Sequence, residues 1–190
     1  MNSADTGQRG AMTKERPARL AVLTVSDRAS RGDYADRGGP AAEDWLRATI
    51  SSPLDIQRRI IPDGAESVAA ALGDLADGWG ADLILVTGGT GPAPRDRTPE
   101  GMAKVIDFDL PGFGEAMRMA SLAEVPTAIL SRQGAGVRGK SLIITLPGNP
   151  RAIATCLNAV FAAVPYCLDL IGAARIETDP GRIRAFRPEK

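Results

Sequence analysis

Three short apolar segments, each followed by a polar or glycine-rich loop and then by a predicted helix, constrain the fold of this chain most strongly. They cover residues 19–26 (RLAVLTVS), 82–87 (DLILVT) and 141–146 (SLIITL). Runs this short, rich in β-branched and aliphatic residues, are typical of strands buried on both faces of a sheet. Because strands that alternate with helices form parallel sheets covered by helices, we expect an α/β fold, a three-layer α/β/α sandwich with a mostly parallel central sheet.

Further segments of the sequence predict a fourth strand, the helices and a hairpin of this fold. Residues 54–61 are predicted to form a further strand. Apolar residues at helical spacing predict helices over residues 40–50, 64–79, 98–106, 113–123, 150–161 and 165–172. Residues 127–131 are expected to pair with residues 141–146 as a hairpin around a glycine-rich turn, which adds one antiparallel strand to the sheet.

The turn of that hairpin contains a literal Walker A motif, GAGVRGKS at residues 134–141. In a working P-loop, the Lys-Ser pair opens a helix whose amides hold phosphate. Here the pair runs into the apolar segment 141–146, which stops at Pro147 and is predicted to be a strand. We therefore interpret the motif as a turn in which glycine supplies positive φ angles. A helix over residues 141–146 would overturn this interpretation.

Composition excludes several kinds of chemistry. The chain has no histidine, so imidazole cannot act as a base or as a metal ligand. The remaining oxygen ligands favour a hard cation such as Mg²⁺. Its 23 basic residues balance its 23 acidic residues, and without a basic excess we expect no nucleic-acid partner.

The length of 190 residues suits a single domain, predicted over residues 18–188 after a disordered polar tail at residues 1–17. The tail lacks the apolar region of a signal peptide. No apolar run approaches the roughly 20 residues that span a bilayer, so no membrane association is expected. Cys156 and Cys167 lie in apolar segments without zinc-site spacing, which predicts buried, reduced thiols in a cytoplasmic protein.

Ligands of doubly wound sheets bind beyond the carboxyl ends of the strands, and three loops of this chain are expected to leave such ends. The first begins with Ser26 and Asp27. The second and third supply the candidates for binding nucleotide phosphates: Gly88, Gly89, Thr90 and Gly91, then Pro147, Gly148 and Asn149. Glycine amides can form an anion-binding nest, and a helix start can bind phosphate. Asp96, which follows the second loop, can hold a cation on that phosphate.

Each candidate also has a purely structural interpretation. The GGTG loop can be only a sharp turn, and Asn149 can be only a helix cap. Asp63 follows the strand over residues 54–61 and can cap the next helix, with Glu66 completing a capping box. The hydroxyl of Thr98 is expected to cap the helix that starts with Pro99. For Asp63, helix capping and ligand binding are both compatible with the sequence.

Taken together, these loops resemble the MogA/MoaB family of molybdopterin-binding domains, which also forms the N-terminal part of gephyrin. The matching segments are TVSDRAS (24–30), DRGGPA (36–41), IPD (61–63), TGGTGPAPRDRTPE (87–100), PGFGEAMR (111–118), PTAILSR (126–132), LPGNPRA (146–152) and AVPYCLDLI (163–171). The resemblance covers about residues 19–188 and is closer to the MogA branch, because of VPYCLDL and AFRP. One departure is the short segment between Asn149 and Phe161, which lacks an insertion found in some MogA relatives.

The resemblance implies a molybdopterin adenylyltransferase, usually a homotrimer, that transfers AMP from ATP to the terminal phosphate of molybdopterin and releases pyrophosphate. The family's two aspartates fall on Asp63 and Asp96, the predicted catalytic and Mg²⁺-binding residues. Candidates for binding the pterin are Ser26, Asp27, Ser131 and Arg132, although the last two can also be solvated residues of a hairpin strand. Hand-over of the product to the molybdenum-insertion enzyme is a further implied step.

Two alternative functions are compatible with the same sequence. One is a MoaB-like or CinA-like enzyme of this fold with other nucleotide chemistry. The other is a pterin-binding or scaffold module without catalysis. The presence of both aspartates favours catalysis.

Overall fold

The computed structural model describes residues 16–189. The strands are β1 (Ala18–Val25), β2 (Leu54–Ile61), β3 (Leu83–Thr87), β4 (Phe108–Asp109), β5 (Ala135–Arg138) and β6 (Ser141–Leu146). The helices are α1 (Asp27–Ser30), α2 (Gly38–Thr49), α3 (Ala65–Gly73), α4 (Thr98–Ala103), α5 (Pro111–Leu122), α6 (Pro150–Val160) and α7 (Val164–Ile171). A π-helical turn, Asp74–Gly78, extends α3, and short 3-10 helices cover Pro126–Leu130 and Phe161–Ala163.

The six strands form one sheet in the order β2-β1-β3-β6-β5-β4. The first four strands in this order are parallel, β5 is antiparallel to β6, and β4 is antiparallel to β5. The strand order reverses at β1, since β2 and β3 pair with its two opposite edges. The crevice beyond the carboxyl ends of β1 and β3 is therefore the position at which such sheets bind ligands. The predicted mostly parallel sheet with an antiparallel hairpin strand is confirmed.

Alternating side chains of the central strands divide the interior into two cores, which explains the three layers. Leu83 and Leu85 of β3 pack into one core with residues of α2, α5, α6 and α7. Ile84 and Val86, from the same strand, pack on the other face with residues of α3 and Met102 of α4. Because both faces of β3 are covered, the strand can be apolar at every position, as its sequence is.

The first strand of the hairpin is not where the sequence placed it. Residues 127–131 fall mostly in the 3-10 helix Pro126–Leu130, and the strand that pairs with β6 is β5, in which Ala135 lies opposite Ile144. Pro126 favours a helix start over a central strand, since it has no amide to donate. The Walker A interpretation is confirmed, because Ser141 opens strand β6 and Gly139 takes a positive φ of 54° in the turn.

Asp63 does not cap α3. The helix is preceded by Gly64 at a φ of 131°, and no side-chain bond caps it. The Asp63 carboxylate instead accepts a hydrogen bond from the amide of Asp27, at 3.0 Å. Glu66, the expected capping-box partner, pairs with Lys104. The capping prediction is therefore wrong, and the Asp63 carboxylate faces the end of β1.

The hydroxyl cap predicted for α4 is also absent. Thr98 is the first residue of the helix, and its hydroxyl donates to the carbonyl oxygen of Gly88, at 2.8 Å. A cap forms instead where the sequence predicted only a loop. The Ser26 hydroxyl accepts a bond from the amide of Ala29 and starts α1. Both hydroxyls therefore stabilise the loops at the carboxyl edge of the sheet.

The helical stretch Pro150–Ile171 corrects the expectation that no segment could span a membrane. It has 22 residues and a mean hydropathy of 1.6, which suit a span by length and composition alone. Its predicted apolar stripe, however, lies in the core: Ile153, Cys156, Leu157, Val160 and Phe161 are buried. Cys167 is only half-buried, contrary to prediction. We interpret the stretch as a core helix of the sandwich.

The buried carboxylate of Asp82 binds Arg16, the first of the described residues. Asp82 is 2% exposed, and both its oxygens accept bonds from the guanidinium of Arg16, at 2.7 and 2.8 Å. It also accepts the amides of Arg19 and Ala174, each at 2.8 Å. Arg16 thus packs on the domain, although the sequence placed it in the tail; residues 1–15, for which disorder was predicted, lie outside the described residues.

Candidate active site

Three glycine-bearing loops converge beyond the carboxyl ends of β1, β3 and β6. The amide of Gly88 donates to the carbonyl oxygen of Leu146, at 3.1 Å. A Cβ added to Gly148 would lie 3.7 Å from the Gly88 Cα, and one added to Gly38 would lie 3.3 Å from the Gly148 carbonyl oxygen. The backbones therefore lie close together: a Cβ at Gly38 would be tightly packed, and one at Gly148 would be in ordinary van der Waals contact.

The loop after β3 requires glycine for conformation as well as for space. Gly88 and Gly89 take φ angles of 100° and 62°, which residues with a Cβ adopt rarely. A Cβ on Gly88 would lie 2.4 Å from the carbonyl oxygen of Val25, and one on Gly89 would lie 2.4 Å from the Thr98 Oγ1. The loop is thus a fixed turn pressed against β1, with its backbone open towards the crevice.

A small cavity of about 130 Å³ lies on one side of this loop and is lined by the three carboxylates Asp27, Asp63 and Asp96. Asp27 and Asp63 exchange bonds: each carboxylate accepts the amide of the other residue, at 3.0 and 3.1 Å. The Asp96 Oδ2 accepts the amide of Ala93, at 3.1 Å. The guanidinium-bearing residues Arg28 and Arg95 line the same cavity. It therefore combines oxygen ligands with positive charge, as a metal–phosphate site requires.

The chemistry of these side chains fits Mg²⁺. The donors are hard oxygens, and Mg²⁺ typically binds one or two carboxylates while substrate phosphates and water complete its coordination. Within residues 16–189, no cluster of three or more acidic or cysteine side chains is arranged to hold a metal alone. This arrangement fits an ion that arrives with a phosphate ligand better than a permanent metal cage.

A larger cavity of about 780 Å³ lies on the other side of the glycine loop. One wall contains the end of α5 and the 3-10 helix, where Val125, Ala128 and Leu130 supply apolar surface. The polar groups that line it include Gln133, which is 2% exposed, and Ser131, whose hydroxyl donates to the Gln133 Oε1 at 2.6 Å. A mostly apolar cleft with few fixed polar groups is typical of a site for an organic ligand.

The structure brings all the predicted nucleotide-binding residues to this larger cavity. Its lining includes Gly88, Gly89, Thr90, Gly91, Pro147, Gly148 and Asn149. Asn149 also caps α6, because its Oδ1 accepts the amide of Arg151 at 2.9 Å. Asp96 lines both cavities, whereas Asp63 lines only the small one. The glycine loop therefore lies between a carboxylate site and an apolar cleft.

The four predicted pterin-binding residues do not meet in one place. Ser26 and Asp27 line the small cavity, and Ser131 lines the large one. Arg132 lines neither, and its guanidinium bonds to the backbone of the loop that carries Asp96. One pocket formed by all four residues is not present.

Sequence reasoning missed residues of a third cavity, of about 220 Å³, between α2 and the glycine loops. Asp36 lines it and accepts the Gly39 amide at 3.0 Å and the Thr24 hydroxyl at 2.8 Å. Tyr34 and Arg37 lie beside it. An aspartate three residues before a glycine in a GGP helix start was the available signal. Gln133 gave no such signal, because a lone amide in a hairpin has no distinctive pattern.

Two groups near the site have a pKa shifted from the ordinary value. The Arg132 guanidinium, which bonds to the carboxylate of Glu100, lowers the pKa of that carboxyl group. Burial raises the pKa of the Cys156 thiol, which lies within 3.3 Å of the Gln133 Nε2. Glu100 therefore stays ionised beside Arg132, and Cys156 stays a neutral thiol in the wall behind the large cavity.

Several known proteins that this chain is similar to carry names that refer to molybdopterin. A family model described as "Probable molybdopterin binding domain" matches residues 21–166. The chain is 50% identical over 171 residues to the molybdopterin adenylyltransferase of Helicobacter pylori, which covers 90% of this chain and 97% of the relative. It is 44% identical over 183 residues to the molybdopterin adenylyltransferase of Escherichia coli, which covers 90% and 94%. The molybdopterin biosynthesis enzyme MoaB of Thermus thermophilus superposes with a TM-score of 0.74, at 41% identity over 81% of this chain and 96% of that chain.

Proposed function

The chain belongs to the family of probable molybdopterin binding domains, and we infer from this membership that it is a molybdopterin adenylyltransferase of molybdenum cofactor biosynthesis. It is therefore a nucleotidyltransferase, and ATP and molybdopterin are its substrates. The observation that supports this chemistry most directly is the position of Asp63 and Asp96 in one small cavity beside the Gly88 loop. The sequence motifs resemble the MogA branch, the relatives from Helicobacter pylori and Escherichia coli are named molybdopterin adenylyltransferases, and the Thermus thermophilus structure is named MoaB.

The shape of the site suggests how the substrates are divided. The phosphates lie at the glycine loop, beside the small cavity, where backbone amides after Gly88 can donate to them. The organic part of a substrate occupies the apolar cleft of about 780 Å³, which has the size of a typical small-molecule site. Ser26 and Asp27 lie on the opposite side of the loop from Ser131. We therefore expect them to contact a phosphate-bearing segment and not the same pterin ring.

The reaction joins two anions, so the site must neutralise charge and align the reacting atoms. An oxygen of the terminal phosphate of molybdopterin attacks the α-phosphorus of ATP, a new P–O bond forms, and the bond to pyrophosphate breaks. This oxygen is already ionised near neutral pH, since the second pKa of a phosphate monoester is about 6. No general base is needed, which agrees with a chain that has no histidine.

Asp63 and Asp96 would hold Mg²⁺, directly or through water. The ion would supply charge neutralisation at the phosphates of ATP. Arg28 and Arg95, which line the same cavity, add positive charge towards the departing pyrophosphate. The backbone amides of residues 89–91 keep the α-phosphate in line, since the loop packs against β1 and cannot move away from the phosphate.

The direct test is an assay with the purified chain, ATP, Mg²⁺ and molybdopterin, scored for pyrophosphate and for adenylylated molybdopterin. Formation of both products supports the proposal. Binding of molybdopterin without turnover would favour a pterin-binding or scaffold module. Turnover of ATP with another acceptor only would favour a different nucleotide chemistry on this fold.

Asp63→Asn is expected to reduce turnover by about 10²-fold without unfolding the protein. Asparagine keeps a side-chain oxygen that can accept the Asp27 amide, but it removes the charge that holds Mg²⁺. Steady-state kinetics and a thermal melt of the same preparation measure the two effects. Unchanged turnover would exclude Asp63 from catalysis, and a loss explained by a lower melting temperature would make its role structural.

We also propose that the chain works as a homotrimer in the cytoplasm, where ATP is present and thiols stay reduced. Exposed apolar side chains on two elements that contact each other support self-association. Met119 and Leu122 of α5 and Ile129 and Leu130 of the following 3-10 helix are exposed, Ile129 by 66%. Groups of exposed apolar side chains often mark an interface. Transfer of the product to the molybdenum-insertion enzyme would follow release from the site.

Ile129→Asp is expected to convert the trimer into monomers, because a buried charge at a subunit contact is strongly unfavourable. Light scattering after size-exclusion chromatography should show the mass falling to that of one chain, 19.9 kDa. Leu170→Asp, at an equally exposed position on α7, is the matched control. If Ile129→Asp keeps the wild-type mass, this surface is not the interface.

A further inference from the structure

A three-residue segment between the 3-10 helix and β5 touches the glycine loop from outside. We refer to Ser131, Arg132 and Gln133 as the 131–133 segment. The Arg132 amide donates to the carbonyl oxygen of Thr90, at 2.8 Å. Ser131 and Gln133, on either side of it, line the large cavity. The 131–133 segment therefore contacts the large cavity through Ser131 and Gln133 and the glycine loop through Arg132.

The Arg132 guanidinium closes the turn that carries Asp96. Its Nε donates to the carbonyl oxygen of Gly91, at 3.1 Å, and its Nη2 donates to that of Asp96, at 2.6 Å. These two carbonyls stand at the two ends of the Gly91–Asp96 turn. Inside the turn, the Asp96 amide bonds to the Ala93 carbonyl and the Ala93 amide bonds to the Asp96 carboxylate. The planar guanidinium of Arg132 thus holds both ends of the turn. The bonds between Ala93 and Asp96 inside the turn orient the Asp96 carboxylate.

Glu100 orients that guanidinium in turn. Its Oε1 accepts a bond from the Arg132 Nη1, at 2.5 Å, and Glu100 itself is fixed in the first turn of α4. The Arg132 guanidinium therefore donates hydrogen bonds from its three nitrogens to three different acceptors. Such a fork cannot be reproduced by lysine, whose ammonium is a compact point charge.

We propose that Arg132 and Glu100 are positioning residues for adenylyl transfer, which hold the Asp96 carboxylate and the Gly91 turn in their reactive places. The proposal rests on the proposed function, since it concerns the same reaction. It assigns Arg132 to the loop and not to the pterin, because all three guanidinium nitrogens already donate to backbone or carboxylate oxygens of residues 91–100. It also links the two cavities: a ligand that moves Ser131 or Gln133 displaces the residue that holds Asp96.

The test compares Arg132→Ala and Glu100→Ala with the wild type and with Arg58→Ala. Arg58 is a matched control, since it is also an exposed arginine paired with a glutamate, Glu43, but lies on edge strand β2. Turnover with ATP, Mg²⁺ and molybdopterin is measured beside hydrogen–deuterium exchange of residues 90–97. For Arg132→Ala we expect about 100-fold lower kcat, because a misplacement of about 1 Å costs about that factor. Amides of residues 90–97 should exchange faster, and Arg58→Ala should change neither quantity.

Two further variants separate positioning from direct binding. Arg132→Lys should recover little activity, because one ammonium cannot reach all three acceptors. The double variant, with Arg132→Ala and Glu100→Ala, should lose no more activity than Arg132→Ala alone if the pair acts as a unit. An increase confined to the KM for molybdopterin, with unchanged exchange of residues 90–97, would overturn the proposal and make Arg132 a pterin ligand.

Failure of the proposed function would give a different result. In that case the wild type itself would release no pyrophosphate. The exchange experiment would still test whether Arg132 holds residues 90–97 in place. Faster exchange in Arg132→Ala supports its hold on the loop whichever reaction the site performs. Unchanged exchange, together with wild-type kcat, overturns it.

Discussion

Asp96→Asn is expected to lower adenylyl transfer by about 10²- to 10³-fold and to leave the fold intact. Asparagine keeps an oxygen that can accept the amide of Ala93, so the turn should form as before. The lost group is the negative charge in the small cavity, where Asp96 lies with Asp63. Without that charge, Mg²⁺ and the phosphates it neutralises are held less tightly in the transition state.

The measurement is the rate of pyrophosphate release at saturating ATP and molybdopterin, with a thermal melt of the same sample. Asp55→Asn is a suitable control, because Asp55 is an exposed carboxylate on β2, remote from the three cavities. Wild-type activity in Asp96→Asn would remove this residue from the mechanism. Partial recovery at raised Mg²⁺ concentration would agree with a role in holding the ion.

Gly88→Ala should damage both stability and activity, since the added methyl group has no space. The φ of 100° is strained for alanine, and the new Cβ would lie 2.4 Å from the Val25 carbonyl oxygen. Strain of this kind costs on the order of 1–3 kcal/mol, and relief requires the glycine loop to leave β1. For a domain of this size, we expect a melting temperature lower by about 2–12 °C. A displaced loop should also reduce turnover by about 100-fold or more.

Calorimetry and kinetics of Gly88→Ala measure these effects side by side. Gly112→Ala provides the control: this glycine lies in the first turn of α5 with a negative φ, and nothing lies within 4 Å of its added Cβ. That substitution should be neutral or slightly stabilising, since it only reduces the freedom of the unfolded chain. A Gly88→Ala variant with wild-type melting temperature and turnover would show that the loop is not under the constraint described.

The sheet was predictable where its strands are apolar on both faces. The segments that became β1, β3 and β6 have no polar face, so only a central position suits them. The two-residue strand β4 has no such pattern and depends wholly on its pairing with β5. The 3-10 helix over Pro126–Leu130 was mistaken for a strand, because a short apolar run can belong to a helix or a strand.

The site was predictable at the level of loops but not of contacts. Strand ends and glycines identified the loops that carry Asp96, Gly88 and Gly148, because their position follows from the topology. The partner of Asp63 was not predictable: the amide of Asp27 lies 36 residues away, and a local cap was the simpler interpretation. The three acceptors of Arg132 could not be inferred either, since they come from two segments that the fold alone brings together.

The buried carboxylate of Asp82 has a practical consequence for how this domain can be joined to other molecules. It fastens Arg16 just before β3 begins, whereas the cavities open where that strand ends. Five residues of strand separate the two places by roughly 17 Å at 3.3 Å per residue. A fusion partner, purification tag or surface tether joined directly to Arg16 would therefore be attached at the edge of the sheet opposite the one where the cavities open.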